Sequence, residues 1–357
     1  MMNQHTLFTN VQTYYENLIA ELANAQEIIS ISFLSFVQGE WAEKISQALI
    51  QKAKAGVRVQ MIVDEIGEVW DDRKRLFDNI NLVHHLRKHG IQVEVFRPTP
   101  PLKINNRLHC KFIAIDENIV YIGGSNIADF YTRWIDANLR IDGNLGNTFH
   151  TLYDFLFNYS KNGNKTLRCL NASNLMAGTD RLYLTVPRQQ FDVHKAFLNL
   201  ILEADTSIYI RTWSFLPDEK ILDALCQQAK KGVQVNILFS HRTRFRPLDY
   251  ANYIHVHKLV EAGANVYRYV GNAMHTKVAW NNQRNVLFGS ANLESQSLKN
   301  NFETCLQINA SNLTSELTQA FYNDLASSVK QTSQSHVRRS LARKALTHAC
   351  NVAILWL

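Results

Sequence analysis

One short pattern occurs twice in this chain, and the duplication limits its architecture more than any other feature. Residues 109–126 read HCKFIAIDENIVYIGGSN, and residues 275–292 read HTKVAWNNQRNVLFGSAN, so the second histidine follows the first by 166 positions. The surroundings repeat as well. AQEIISISFLSF (25–36), KISQALIQKAKAGVRVQMIVDE (44–65) and HHLRKHGIQVEVF (84–96) lead to the first copy. ADTSIYIRTWSF (204–215), KILDALCQQAKKGVQVNILFS (220–240) and HKLVEAGANVYRY (257–269) lead to the second in the same order. A set of elements that recurs in order marks a duplicated fold.

Each half alternates short apolar strands with amphipathic helices. IISISF has the period of a strand, ISQALIQKAKAG has helical spacing, and Gly56 closes that helix before the strand VRVQMIVD. LVHHLRKHG followed by IQVEVF, and LVEAGANVYRY in the second half, repeat helix, glycine and strand. The predicted class is therefore α/β with mixed sheets, built from two repeats. The expected division is an N-terminal repeat over 1–143, a connecting segment over 144–186 and a C-terminal repeat over 187–330. A basic and apolar tail over 331–357 follows.

The 357 residues, 46% of them hydrophobic, are enough for two cored domains. A formal net charge of +7 favours acidic partners: nucleic acid, anionic lipid or phosphorylated small molecules. The five cysteines (Cys110, Cys169, Cys226, Cys305 and Cys350) form no CxxC pair, so neither a disulfide framework nor a zinc site is signalled. Residues 1–30 lack the basic start and apolar run of a secretory signal, and no window approaches the ~18 apolar residues of a spanning helix. The expected location is the cytoplasm, or the inner face of a membrane as a peripheral protein.

The chemistry concentrates where the two copies agree. Residues two apart on a strand share a face, so His109 and Lys111 point together, as do His275 and Lys277. Cys110 points the other way and is Thr276 in the second copy, which argues against a cysteine nucleophile. The result is two imidazoles and two ammonium groups, each pair followed by a glycine, serine and asparagine turn: Gly124, Ser125 and Asn126, then Gly289, Ser290 and Asn292.

In these residues the chain resembles the phospholipase D superfamily, whose HxKxxxxD motif and later GSxN segment occur twice. His109, Lys111 and Asp116 match the first motif in full, with GGSN in place of GSxN; His275, Lys277 and GSAN match the second, with Asn282 at the carboxylate position. The resemblance extends over roughly residues 15–310. It implies two phospholipase D-like α/β sandwich domains related by a pseudo-two-fold axis, with one active site at their interface, so that a monomer suffices for a complete site. It also implies a metal-independent enzyme without cofactors.

Phosphodiester chemistry needs a nucleophile, a proton for the leaving oxygen and positive charge around the non-bridging oxygens. A neutral imidazole that forms a phosphohistidine, a protonated imidazole opposite it, and two lysines supply these. By resemblance, His109 is the nucleophile and His275 the acid. Ser125, Asn126, Ser290 and Asn292 are expected to help the lysines hold the phosphate. Each histidine also needs an orienting carboxylate. Asp136 lies 27 residues after His109, and Glu303 lies 28 after His275. Asp116 is expected to cap a turn, a role that Asn282 can share.

For substrate, the resemblance is nearest to bacterial cardiolipin synthase-like members, since WIDANLRIDG (134–143) and LKNNFE (298–303) look like their post-motif segments. A phospholipase D or phosphatidyltransferase acting on phospholipids is the leading reading. A nuclease on DNA or RNA is the alternative, with HRTRFRPLDY (241–250) as a basic, aromatic run. A weakly active phosphate-binding protein is the third. An anionic membrane surface is the expected partner, reached through SHVRRSLARKALTHACNVAILWL (335–357). Phe33, Phe36, Trp213 and Phe215 are candidates for an apolar entrance.

Overall fold

The computed structural model describes residues 3–67, 72–98, 105–162, 176–177, 180–243, 246–282 and 285–333. The first repeat contributes strands β1 (Gln4–Asn10), β2 (Ile28–Phe33), β3 (Arg58–Asp64), β4 (Gln92–Phe96), β5 (Phe112–Ile115), β6 (Ile119–Gly123) and β7 (Ile135–Asp142). The second half of the chain contributes β8 (Met176–Ala177), β9 (Asp180–Val186), β10 (Gln190–Phe191), β11 (Ser207–Thr212), β12 (Phe215–Leu216), β13 (Gln234–Ser240) and β14 (Asn265–Tyr269). It continues with β15 (Lys277–Asn281), β16 (Asn285–Gly289), β17 (Leu293–Glu294), β18 (Glu303–Asn309) and β19 (Ser328–Lys330).

The first sheet runs β1-β7-β6-β5-β2-β3-β4, and the second runs β10-β9-β18-β16-β15-β11-β13-β14-β19. Seven consecutive strands of the second sheet therefore repeat the whole order of the first. In each sheet three strands are parallel (β2, β3, β4; β11, β13, β14), because helices cross between them, and the rest pair antiparallel. The mixed sheets follow from the strand, helix, strand order seen in the sequence. Gly56 and its equivalent Gly232 take φ of +90° and +92°, which closes the helices Glu40–Lys54 and Glu219–Lys230 in a conformation that costs other residues energy.

Three apolar clusters hold the molecule. One lies within the first repeat and one within the second. The third is shared, joining Leu139, Phe112 and Phe149 of the first repeat with Leu184, Trp280 and Phe321 of the second. Burial of this kind contributes about 25 cal/mol per Å² of apolar surface, so the halves are fused by one continuous core.

In the segment 144–186, expected to connect the repeats, the described elements belong to one repeat or the other. Helix Gly146–Asn162 follows β7 as helix Ser311–Leu325 follows β18, and β9 pairs with β18 as β1 pairs with β7. The helical counterpart was hidden because FHTLYDFLFNY and LTSELTQAFYNDL share an apolar period but few residues. Of the tail 331–357, residues 334–357 lie outside the described residues, as do Arg244 and Phe245 of the run 241–250.

Candidate active site

Both HxK pairs enter at equivalent places, just before or at the start of β5 and β15. The backbone there is stitched across the repeats rather than within them. His109 N–H donates to the Phe302 carbonyl (2.9 Å), and Phe302 N–H donates to the Arg107 carbonyl (2.8 Å). At the equivalent crossing, His275 N–H donates to the Ile135 carbonyl (2.6 Å), and Ile135 N–H to the Ala273 carbonyl (2.8 Å). Each histidine is thus registered against the residue that precedes the other repeat's carboxylate.

The side chains follow that register. His109 Nδ1 lies 2.7 Å from Glu303 Oε1, and His275 Nδ1 lies 2.9 Å from Asp136 Oδ2. Asp136 and Glu303, the candidate orienting groups, each lie against the histidine of the opposite repeat. Both carboxylates are fully buried. With Nδ1 donating to a carboxylate, each ring is set with Nε2 as its reactive nitrogen. Lys111 and Lys277 are 1% and 3% exposed, and each donates back to the carbonyl of its own histidine, at 2.9 Å and 2.7 Å. Lys277 Nζ also lies 3.1 Å from both nitrogens of His275.

Burial dominates the electrostatics. It drives His109 down to about 4, against the opposing pull of Glu303, so this imidazole is neutral at neutral pH. Burial would raise Glu303, but the facing His109, together with Lys111 and Ser290, holds it below its usual range. Asp136 is pushed up to about 6 by burial, with Lys277 opposing, and Lys277 is pushed down to about 7 by burial, with Asp136 opposing.

The serines and asparagines of the glycine turns lie among the same carboxylates and loops. Ser125 Oγ donates to Asp136 Oδ2 (2.9 Å), and Ser290 Oγ donates to Glu303. Asn126 accepts from the Leu34 and Ser35 amides and donates to Tyr131 (2.9 Å), while Asn292 donates to Glu294 (3.3 Å). These contacts fix the carboxylates and the loops around them. Gly124 has a steric reason: a Cβ there would fall 2.2 Å from Asp136 Oδ1 and 2.8 Å from the His275 carbonyl.

Asp116 and Asn282 stand away from the reacting groups. Asp116, with φ of +49°, accepts from the amides of Gln26, Glu27 and Ile28; Asn282 accepts from those of Asp205, Thr206 and Ser207. Each anchors the entry to β2 or β11, a longer-range task than capping its own turn. An amide oxygen performs it as a carboxylate does, which explains the tolerated difference between the copies.

Several neighbours escaped the sequence reading. Asp64 is fully buried at the end of β3, where the Arg107 guanidinium pairs with it and the Leu108 amide donates to it (2.9 Å), so it fixes the approach to His109. Glu294, raised by burial, accepts from Ser214. Tyr131 and Trp134 surround His275 together with Trp213, which the sequence does offer as an entrance residue. Their only sequence signal was position, Trp134 standing two before Asp136 and Glu294 two after Asn292. Of the four suggested entrance residues, Phe33, Phe36 and Phe215 are core, and only Trp213 reaches the site.

Among the described residues, no group of three or more histidine, cysteine or acidic side chains is placed to hold a metal ion. None of their helices is long and apolar enough to cross a membrane. A duplicated α/β fold that brings two histidine–lysine pairs together, each histidine backed by a buried carboxylate, defines an enzyme of the phospholipase D type. The chain belongs to that superfamily: the family model described as cardiolipin synthase, PLD-like domain, matches residues 18–148 and again 197–325.

Similar curated proteins include cardiolipin synthase 2 of Staphylococcus epidermidis (strain RP62A), 29% identical over 358 residues, covering 96% of this chain and 72% of that protein. The major cardiolipin synthase of Bacillus subtilis is 27% identical over 366 residues, covering 96% and 74%. Among solved structures, phosphatidylserine synthase of Haemophilus influenzae superposes with a TM-score of 0.74 over 98% of this chain and 94% of that one, at 13% identity. Polyphosphate kinase of Porphyromonas gingivalis gives 0.65 over 93% and 49%, at 16% identity. Both share the fold.

Proposed function

We propose that this enzyme is a phosphatidyltransferase that acts on phospholipids through a covalent phosphohistidine, as a cardiolipin synthase does or as a phospholipase D with water as acceptor. The observation that carries the reading is the crossed pairing of His109 with Glu303 and His275 with Asp136. It supports two oriented imidazoles facing one phosphorus, and the similar cardiolipin synthases support a phospholipid substrate.

In the first step Nε2 of the neutral His109 attacks phosphorus. The P–O bond to the leaving alcohol breaks, and His275 in its protonated form delivers a proton to that oxygen. Asp136 and Glu303 stabilise positive charge on the rings, and Lys111 and Lys277 hold the non-bridging oxygens as charge builds. In the second step the oxygen of an alcohol or water bonds to phosphorus and gives its proton to His275, while the P–N bond breaks and its electron pair returns to the His109 ring. Both steps run on this chain's own groups. The proposed place of work is an anionic membrane surface, which the lipid substrate and the positive net charge both favour.

The test is to incubate the protein with labelled phosphatidylglycerol vesicles and, separately, with labelled DNA, both in chelator. Formation of cardiolipin or phosphatidic acid that disappears in His109→Ala supports the proposal. Degradation of DNA with lipid untouched overturns it in favour of a nuclease, and bound phosphate analogue with no turnover of either overturns it in favour of a binding protein.

A further inference from the structure

The two half-sites are equivalent in backbone but not in their surroundings. Around His275 stand three aromatic rings: Trp213 at 5.2 Å and 64°, Tyr131 at 5.3 Å and 69°, and Trp134 at 5.8 Å and 49°. Trp134 and Trp213 stack on each other at 5.5 Å and 16°. Tyr131 is buried beneath them, whereas both indoles remain partly exposed. The corresponding positions on the His109 side are Leu34 for Trp213, Asn301 for Trp134 and Leu298 for Tyr131. Among the described residues no aromatic ring packs on His109. Two faces of one phosphorus are therefore lined differently, and the groups they receive must differ in kind.

We propose that Trp134 and Trp213 form the wall of an alcohol subsite at His275, which takes a neutral glycerol-type headgroup and favours transfer to it over hydrolysis. This inference rests on the phosphatidyl-transfer reading above. Indole faces pack well against the CH surface of a polyol, a contact that water cannot make, so occupancy by alcohol displaces the competing nucleophile. The charge around the subsite disfavours a cationic headgroup: Lys111 and Lys277 lie in the site, and Asp136 and Glu303 are each engaged with a histidine.

The chemistry of the second step is the same for either acceptor. Its oxygen forms a bond to phosphorus, the P–N bond to His109 breaks with its electron pair returning to the ring, and the acceptor's proton passes to Nε2 of His275. Only the residence of the acceptor distinguishes them, and the aromatic wall acts on residence. Trp134 comes from the first repeat and Trp213 from the second, so the wall exists only when the halves are packed. Its position is fixed by the same crossing that sets the histidines, through Trp134 N–H to the Tyr131 carbonyl (3.0 Å) and Ile135 N–H to the Ala273 carbonyl.

The experiment is to supply phosphatidylglycerol vesicles and measure the ratio of cardiolipin, from transfer, to phosphatidic acid, from hydrolysis. In Trp213→Ala that ratio should fall about tenfold, the scale of losing one aromatic anchor, and Trp213→Phe should restore most of it. Leu34→Ala, the equivalent change on the His109 side, should leave the ratio as in the wild type. A wild-type ratio in Trp213→Ala overturns the inference while the transferase reading stands. If Trp213→Ala makes no product, Trp213→Leu and Trp134→Leu decide, and wild-type ratios in both overturn it. Wild-type protein that forms neither product overturns the transferase reading and this inference together.

Discussion

His109 Nδ1 lies 2.7 Å from Oε1 of Glu303, a residue 194 positions away in the other repeat. His275 and Asp136 repeat the relationship in reverse, so neither repeat contains a complete histidine–carboxylate pair. The enzyme is therefore divided into halves that each lack what the other supplies.

This crossing assigns each carboxylate to a step. Glu303→Gln should impair phosphoenzyme formation, because it disturbs His109, and Asp136→Asn should impair proton delivery by His275. A p-nitrophenyl phosphodiester, whose leaving group needs no proton, separates them. We expect its first-turnover burst to survive in Asp136→Asn and to fall by about 10²–10⁴-fold in Glu303→Gln. The opposite pattern would reverse the roles of the two histidines.

Lys277 gives a stability prediction with a definite sign. Its folded pKa is lowered to about 7 by burial, from an ordinary lysine value of 10.5, so between these values the unfolded chain holds a proton that the folded chain has released. Stability contributed by this group must then rise with pH across pH 7–9, by up to about 1.4 kcal/mol per pH unit. The urea midpoint of wild type should rise relative to that of Lys277→Met across this range, by that slope. Parallel pH profiles would show that the amine stays charged when buried.

Asn282→Asp should keep activity but lose up to about 1 kcal/mol of stability, since an aspartate still accepts from the Asp205, Thr206 and Ser207 amides but would face the Asp205 carboxylate to which Asn282 donates. Asn282→Ala and Asp116→Ala leave such amides without their acceptor and should each cost about 1–3 kcal/mol by denaturant unfolding. Loss of turnover in folded Asn282→Asp would mean that this position reaches the reaction.

Gly124→Ala should abolish turnover more than it lowers stability. The added methyl would drive against the Asp136 carboxylate and the His275 carbonyl, two groups that orient the acid. Overpacking at a buried position costs about 1–3 kcal/mol, which a protein of this size survives, whereas a displaced imidazole can lose two orders of magnitude in rate. Thermal melts alongside product assays check this, and retained turnover would show that the loop yields.

Much of the site was legible in the sequence because the repeats act as internal controls. The HxK spacing, the paired glycine turns and the near-equal distances to Asp136 and Glu303 each appear twice, and local strand geometry alone places His109 beside Lys111. What the spacing could not carry was partnership. Asp64 and Arg107 lie 43 positions apart in different elements, and nothing in either neighbourhood announces the pair. Nor does spacing announce that each serine hydroxyl donates to a carboxylate, the acceptor that the fold brings closest.

The sequence by itself determined the duplicated α/β units, the mixed sheets and the two HxK pairs, since period, glycine position and residue spacing are local properties. Only the tertiary structure decided which carboxylate serves which histidine, and that the aromatic rings gather on one side. These depend on how two sheets meet through a shared core, where a few cross-repeat backbone hydrogen bonds set a register that no single segment encodes. The opening histidine of each motif is fixed by its own strand, but its chemistry is completed by the other half of the chain.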